Sequence, residues 1–300
     1  MTHYLNMSSS PNHRNDLSAV RASIVIPAHN EASVIGRCLT SVLQSAYKGE
    51  FAITVVCNGC TDNTAAIVRQ YFPEVTVIET AVASKIHALN LADSGNRVYP
   101  RIYLDADLEV TSSSLRSLIA PLLNSEFFVS CGNMHVYTNR SSYVVQAFYN
   151  IWQHNSYLSS GKFGGVFAIS EKGAERLGEF PNVTNDDEYV KQLFKSHERA
   201  HVENCVFQMS APHTLSGLVK IRTRAIRGTL ELQKLGYASN DSLAAGSLVD
   251  IMKKMLGRPS LWLPLPIYIV ISTWIRVKVL LTGQYNNRAW ERDESSRGLR

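Results

Sequence analysis

The chain has 300 residues, 45% hydrophobic and 18% charged, with a formal net charge of +5. This excludes a fibrous, low-complexity or wholly disordered protein and allows one or two domains with a sizeable core. The basic excess is local: from Met252 to Arg300 nine Lys and Arg stand against three Asp and Glu, a surplus of six that leaves the rest near −1, and no nucleic-acid partner is expected.

Residues 1–21 are polar, rich in Ser and Asn, and aperiodic, which suits a mobile tail. No apolar segment of signal type follows the N-terminus, and Cys38, Cys57, Cys60, Cys131 and Cys205 are scattered and odd in number; together they point to a reducing, cytosolic setting. Ala22 to Pro27 (ASIVIP) is a short apolar run suited to a strand covered on both faces. Val34, Ile35, Cys38, Leu39, Val42 and Leu43 then recur at helical spacing. The alternation repeats with strands Phe51 to Cys57, Val75 to Ile78 and Arg101 to Leu104, each followed by a helical segment. Thr61 or Asp62 suits the cap of the second helix, and Thr111 or Ser112 that of the fourth. Strands alternating with helices imply a parallel sheet flanked by helices, whose ligands bind beyond the carboxyl ends of the strands. Pro27 to Glu31, Cys57 to Asp62 and Asp105 to Asp107 all fall on that rim.

After Val110 the pattern shifts to a long strand (FFVSCGNMHVY), an aromatic-rich helix over Ser141 to Leu158, and a strand GGVFAIS whose Ser170 suits the cap of EKGAERL. This half reads as a mixed extension of the same sheet that supplies an acceptor site. At the C-terminus, Leu261 to Ile275 is uncharged and apolar, yet 15 residues of helix reach only about 22 Å of a bilayer core of about 30 Å. Ile267, Val270, Ile271, Trp274, Val277 and Leu281 form one stripe, with Arg276, Lys278, Lys253, Lys254 and Arg258 around it. An interfacial helix on anionic lipid fits, as does a helix packed on the catalytic domain or on a second subunit of a dimer; with Arg276 and Lys278 snorkelling, so does a single span.

Dinucleotide-binding, P-loop and hydrolase-elbow signatures are absent. Cys57-Asn58-Gly59-Cys60 has the spacing of a redox or zinc pair, but no second pair accompanies it, and Asn58-Gly59 suits a tight turn. Asp105 and Asp107 are separated by one residue at a strand end; on an extended strand they would share a face about 7 Å apart and repel. They either face solvent and cap the next helix or hold a hard divalent cation on a diphosphate, since Mg²⁺ takes one or two carboxylates and completes its shell from water and phosphate. Asp186, Asp187 and Glu188 suit the first turn of a helix, which can also aim a catalytic acid. Lys220, Arg222, Arg224 and Arg227 either form a solvated basic helix face or close over a diphosphate.

SIVIPAHNEASVIGRCLTSVL, VVCNGCTDNTAAIV, KIHALNLA, YLDADLEV, GGVFAIS and NDDEYV stand in the order and approximate spacing of a family 2 glycosyltransferase with the GT-A fold, and the chain resembles that family from about Ala22 to Gly228. The resemblance implies an α/β, Rossmann-like mixed sheet flanked by helices over residues 22–230. Covering only about Ala22 to Gly228, it leaves the helical, membrane-associating extension and tail expected over 231–300 to their own amphipathic pattern. It implies that Pro27, His29 and Glu31 hold the nucleoside, that Asn58 and Asp62 lie at the base, and that Lys85 approaches the nucleotide. Asp105 and Asp107 resemble the DXD motif for Mn²⁺ or Mg²⁺, with Asp107 the more direct ligand. Gly164 and Gly165 resemble the turn beside sugar and acceptor, Asp187 the catalytic base, and Asp186 the acid before it. Three departures stand out: no Gln-x-x-Arg-Trp near the arginines, which with the lack of several spans implies single transfer; Cys57-Asn58-Gly59-Cys60 where relatives carry paired acids; and no glycine before Lys85. The expected activity is metal-dependent, inverting transfer of one sugar from a nucleotide sugar, UDP-sugar foremost, to a lipid-linked or glycan acceptor at the cytosolic face of a membrane. A sugar-nucleotide nucleotidyltransferase and a catalytically inactive donor-binding scaffold are the alternatives.

Overall fold

The computed structural model describes residues 21–123, 127–155, 162–237, 251, 255 and 257–282. Of the expected tails, residues 1–20 of the N-terminal one (1–21) and all of the distal one (285–300) lie outside these.

The four strands and four helices expected in the first half fold in the expected order. Strand β1 (Ala22–Ala28) leads to α1 (Ile35–Leu43), β2 (Phe51–Asn58) to α2 (Thr64–Tyr71), and β3 (Thr76–Thr80) to α3 (Lys85–Ser94). Then come β4 (Arg101–Leu104), the two-residue β5 (Glu109–Val110) and α4 (Ser112–Leu123). Thr111 does cap α4, its Oγ1 accepting from the Ser114 amide at 3.2 Å. The second half holds β6 (Val129–Tyr137), α5 (Tyr143–Trp152), β7 (Lys162–Ile169), α6 (Glu171–Leu177) and α7 (Asp186–Leu193). A twelve-residue strand, β8 (Arg199–Ser210), a twenty-residue helix, α8 (Leu215–Lys234), and the C-terminal α9 (Leu265–Thr282) complete it.

All eight strands form one sheet in the order β3-β2-β1-β4-β7-β6-β8-β5. The first four are parallel, β7 runs antiparallel to β4 and to β6, and β8 runs parallel to β6. The sheet is thus the mixed extension expected from the sequence. Strand β1 explains itself by burial on both faces: Ile24 and Ile26 join a core under α1, α2 and α4, while Val25 points into a second core with Ile86, Leu89, Tyr103 and Val190. A third core joins α5, α8 and α9 through Phe148, Leu218 and Ile271. Beneath the second layer, Arg101 is buried with Nη1 2.7 Å from Asp93, which also accepts from the Tyr103 hydroxyl at 2.8 Å. This ion pair is satisfied, which a charge at that depth requires.

Two elements had no clear signal. Strand β8 buries only Ala200, Cys205 and Phe207, and its exposed positions are polar apart from Val206; β5 is too short for any pattern. Among the described residues α9 is a helix long and apolar enough to cross a membrane by length and composition, with a mean hydropathy of 1.5.

Candidate active site

The carboxyl ends of β1 and β2 are stitched together before any ligand is considered. The Asn58 side chain is fully buried and donates from Nδ2 to the Ala28 carbonyl at 2.9 Å, and the His29 ring meets the Asn58 carbonyl. Asn30, at φ +53°, accepts from the Thr61 amide at 2.7 Å, and Asp62 accepts from the Ala32 and Thr64 amides at 3.0 Å each. Buried Glu31 donates its amide to Thr64 at 2.8 Å. His29, Glu31, Asn58 and Asp62 therefore set the shape of the rim loop, with the Asn58 amide turned inward. Where a turn is expected, at Asn58-Gly59, the chain bends at Gly59, whose φ is +58° and whose amide donates to the Thr80 carbonyl of β3 at 2.7 Å; Cys57 and Cys60 are free thiols.

Asp105 and Asp107 do not share an extended strand. Strand β4 ends at Leu104 and Asp105 to Leu108 is a turn, closed by the Leu108 amide on the Asp105 carbonyl at 3.3 Å. The premise that pleating places both carboxylates on one face is corrected by that turn. What lies beside Asp105 is a cation from another element: Lys85 Nζ sits 2.9 Å from Asp105 Oδ1 and 3.0 and 2.9 Å from the two oxygens of Asp186. Lys85 opens α3, and Ser84 caps it by accepting from the His87 amide at 3.3 Å. Burial disfavours the Lys85 ammonium, but the charges of Asp105 and Asp186 outweigh it and hold its pKa above the usual lysine value. Burial pushes Asp186 up, against the pull of Lys85 and with a further push from Asp187 and Asp105. Pro27, Lys85, Asp105, Gly165, Asp186 and Asp187 line one cleft.

Gly165 is required here. Its φ is +90°, and a Cβ would stand 2.5 Å from Leu108 Cδ1 and 3.7 Å from Asp105 Oδ2, while its carbonyl accepts from the Asp105 amide at 2.8 Å. Gly164 precedes it inside β7.

The acids on α7 are held from behind by α8. Asn185 donates to the Ala225 carbonyl at 3.0 Å, and Glu231 accepts from the Thr184 amide at 2.9 Å. A Cβ on Gly228 would fall 2.3 Å from Asn185 Oδ1. Gly228→Ala is therefore expected to displace the start of α7 and lower turnover about tenfold or more, since misplacement near 1 Å is costly in catalysis. Circular dichroism would remain native, and unchanged turnover would show that this contact does not position the acids.

The arginines of α8 are placed differently from a segment closing over a diphosphate. Arg222 stacks on Trp152 at 5.2 Å, Arg227 donates to Thr282 on α9 at 2.8 Å, and Arg224 is exposed. None is among the cleft's lining residues. The lysine bridge was not legible as a unit, because Lys85 and Asp186 are 101 positions apart.

Among the described residues no three His, Cys, Asp or Glu side chains converge as a metal cage. Two carboxylates on a turn at the sheet's rim still fit Mg²⁺ or Mn²⁺, which binds through one or two carboxylates and substrate phosphates. Asp107 and Asp105 would hold it.

Residues 23–164 match the model of the glycosyl transferase family 2. A 50-residue stretch is 42% identical to glycosyltransferase AglE of Haloferax volcanii, spanning 16% of this chain and 16% of that protein. Among solved structures, mannosyltransferase PcManGT from Pyrobaculum calidifontis, in complex with GDP-Man and Mn²⁺, is similar at a TM-score of 0.59 and 20% identity, over 90% of this chain and 78% of that one. Glucosyl-3-phosphoglycerate synthase from Mycobacterium tuberculosis, with Mn²⁺ and UDP, is similar at 0.53 and 16% identity, over 74% of this chain and 82% of that one. S. aureus TarS with UDP-GlcNAc is similar at 0.52 and 16% identity, over 64% and 58%.

Proposed function

From the match of residues 23–164 to the glycosyl transferase family 2 model and the likeness in fold to solved glycosyltransferases, we propose that the protein is a metal-dependent, inverting transferase of single sugars. It takes the sugar from a nucleotide-diphosphate donor, UDP-sugar foremost, to a lipid-linked or glycan hydroxyl at the cytosolic membrane surface. The observation that carries this is the cleft in which Asp105, Lys85, Asp186 and Asp187 meet beneath the rim loops of β1 and β2.

The rim loop of Pro27 to Glu31, backed by Asn58 and Asp62, cradles the nucleoside. Asp107 and Asp105 would hold a divalent cation, which when bound would supply charge stabilisation for the leaving diphosphate without proton transfer. Lys85 is kept protonated by its two acids and adds a fixed positive charge beside the departing phosphate. Gly165 lets the sugar-side turn approach Asp105. Asp186 has both oxygens tied to Lys85, so Asp187 is the acid that takes the acceptor's proton as its oxygen attacks. Arg222 and Arg227 are engaged with Trp152 of α5 and Thr282 of α9 and take no part in donor binding in this reading.

Product analysis tests this. With Mn²⁺ and a panel of sugar nucleotides the protein should release nucleoside diphosphate, slowly to water and faster with an acceptor. Release of pyrophosphate from a sugar phosphate and a nucleoside triphosphate would instead show a nucleotidyltransferase.

A further inference from the structure

Helix α9 carries two apolar faces, and the molecule uses one. Tyr268, Ile271, Ile275 and Val279 are buried, packing with α5 and α8, and the Tyr268 ring lies 4.9 Å from that of Phe148. This is the packed-helix alternative, realised by a stripe beside the one visible in the sequence. Most of the sequence stripe points away: Val270, Trp274, Val277 and Leu281, joined by Leu280, are 44% to 81% exposed. The approach to the helix adds Trp262 and Leu263, exposed at 55% and 76%.

The charges around this bare face limit what covers it. Arg276 and Lys278 are two positions apart, hence roughly 160° around the axis at 3.6 residues per turn, so they stand on opposite margins between the packed and bare faces. Arg258 is exposed at the near end. An apolar strip with cations on both margins and tryptophan along it matches an anionic bilayer surface: the apolar groups enter the acyl boundary and the cations reach headgroup phosphates. A crossing orientation fits poorly. The 18 residues of α9 cover about 27 Å of a core near 30 Å, and one long side of the helix is already committed to α5 and α8.

We propose that α9 is an in-plane lipid-docking helix, with its packed side fixed to the catalytic half and its bare side seated in an anionic membrane surface. Because α8 touches α9 at Arg227 and the acid-bearing segment at Asn185, docking sets the cleft at a fixed attitude to the membrane. A lipid-linked acceptor is then the class presented to it, the one point that rests on the glycosyltransferase reading.

The test is sedimentation of the full-length protein with vesicles of phosphatidylcholine alone or mixed with phosphatidylglycerol. The protein should sediment with the mixed vesicles and less so at high salt. Replacing Trp274 and Leu281 together by Asp should weaken binding at least about tenfold. Arg276→Gln with Lys278→Gln should weaken it roughly fivefold per charge, on the anionic vesicles alone. Melting temperature and Mn²⁺-dependent donor binding should persist in all variants, since these side chains lie on the surface. The proposal is overturned if the protein stays in solution, if the aspartate pair binds like the parent, or if light scattering finds a dimer that the aspartate pair dissociates, which would assign the face to a second copy. Vesicle binding without any sugar transfer would sink the enzymatic reading and leave the docking helix standing.

Discussion

Asp187→Asn is expected to bind the donor as the parent does and to transfer sugar roughly 10²–10⁴-fold more slowly, the span associated with a positioned general base. Asparagine keeps the size and polarity of the side chain but cannot accept the acceptor's proton. Both acids line the cleft, but Asp186 is buried with both oxygens on Lys85, whereas Asp187 is only half-buried. A loss confined to kcat, with donor affinity unchanged, identifies a group acting in the transition state. Near-normal turnover in a correctly folded Asp187→Asn protein would move the base elsewhere, with Asp186 the next acid to test.

Asp107→Ala should abolish the metal-dependent part of donor binding. Asp105 shares one oxygen with Lys85 at 2.9 Å, so without Asp107 the cation would rest on a carboxylate already engaged by an ammonium. The expected loss in donor affinity with Mn²⁺ is roughly 10²-fold or more, in keeping with the several kcal/mol a cation contributes at a phosphoryl group. In chelator the two proteins should bind donor alike and weakly. Equal affinity with Mn²⁺ would take the cation off this turn.

The first half of the fold was legible because its central strands are short apolar runs buried on both faces and helices follow with a regular stripe, as Ile24, Val25 and Ile26 before Cys38, Leu39 and Val42 illustrate, the edge strand β3 being only half-buried. Capping chemistry was legible at Ser170 and Thr111, where a hydroxyl two or three residues ahead of the first free amide is a local signal. Strand β8 was not, since its pairing with β6 depends on backbone bonds that polar side chains do not advertise. Within the site, the separate residues Lys85, Asp105 and Asp186 were legible through the family resemblance, while the ammonium bridge between them arises only when α3, β4 and α7 converge. The α8 arginines looked like phosphate ligands by residue type alone; packing directs Arg222 to Trp152 and Arg227 to Thr282 instead. The C-terminal stripe was read correctly as apolar, but its packed counterpart one step around the helix was not seen, because an 18-residue helix apolar on two faces has no single direction to reveal.

The most direct measurement is a thermal-shift titration of the full-length protein with a panel of nucleotide sugars, in Mn²⁺ and in chelator. A ligand that binds only the folded state raises the melting temperature by mass action, by about 2.7 kcal/mol of stability at a hundred times Kd. A rise with one or more nucleotide sugars in Mn²⁺, lost in chelator and lost in Asp107→Ala, is the predicted result. A panel that leaves the melting temperature unmoved in Mn²⁺, or that raises it equally in chelator, would contradict a metal-held donor site at Asp105 and Asp107.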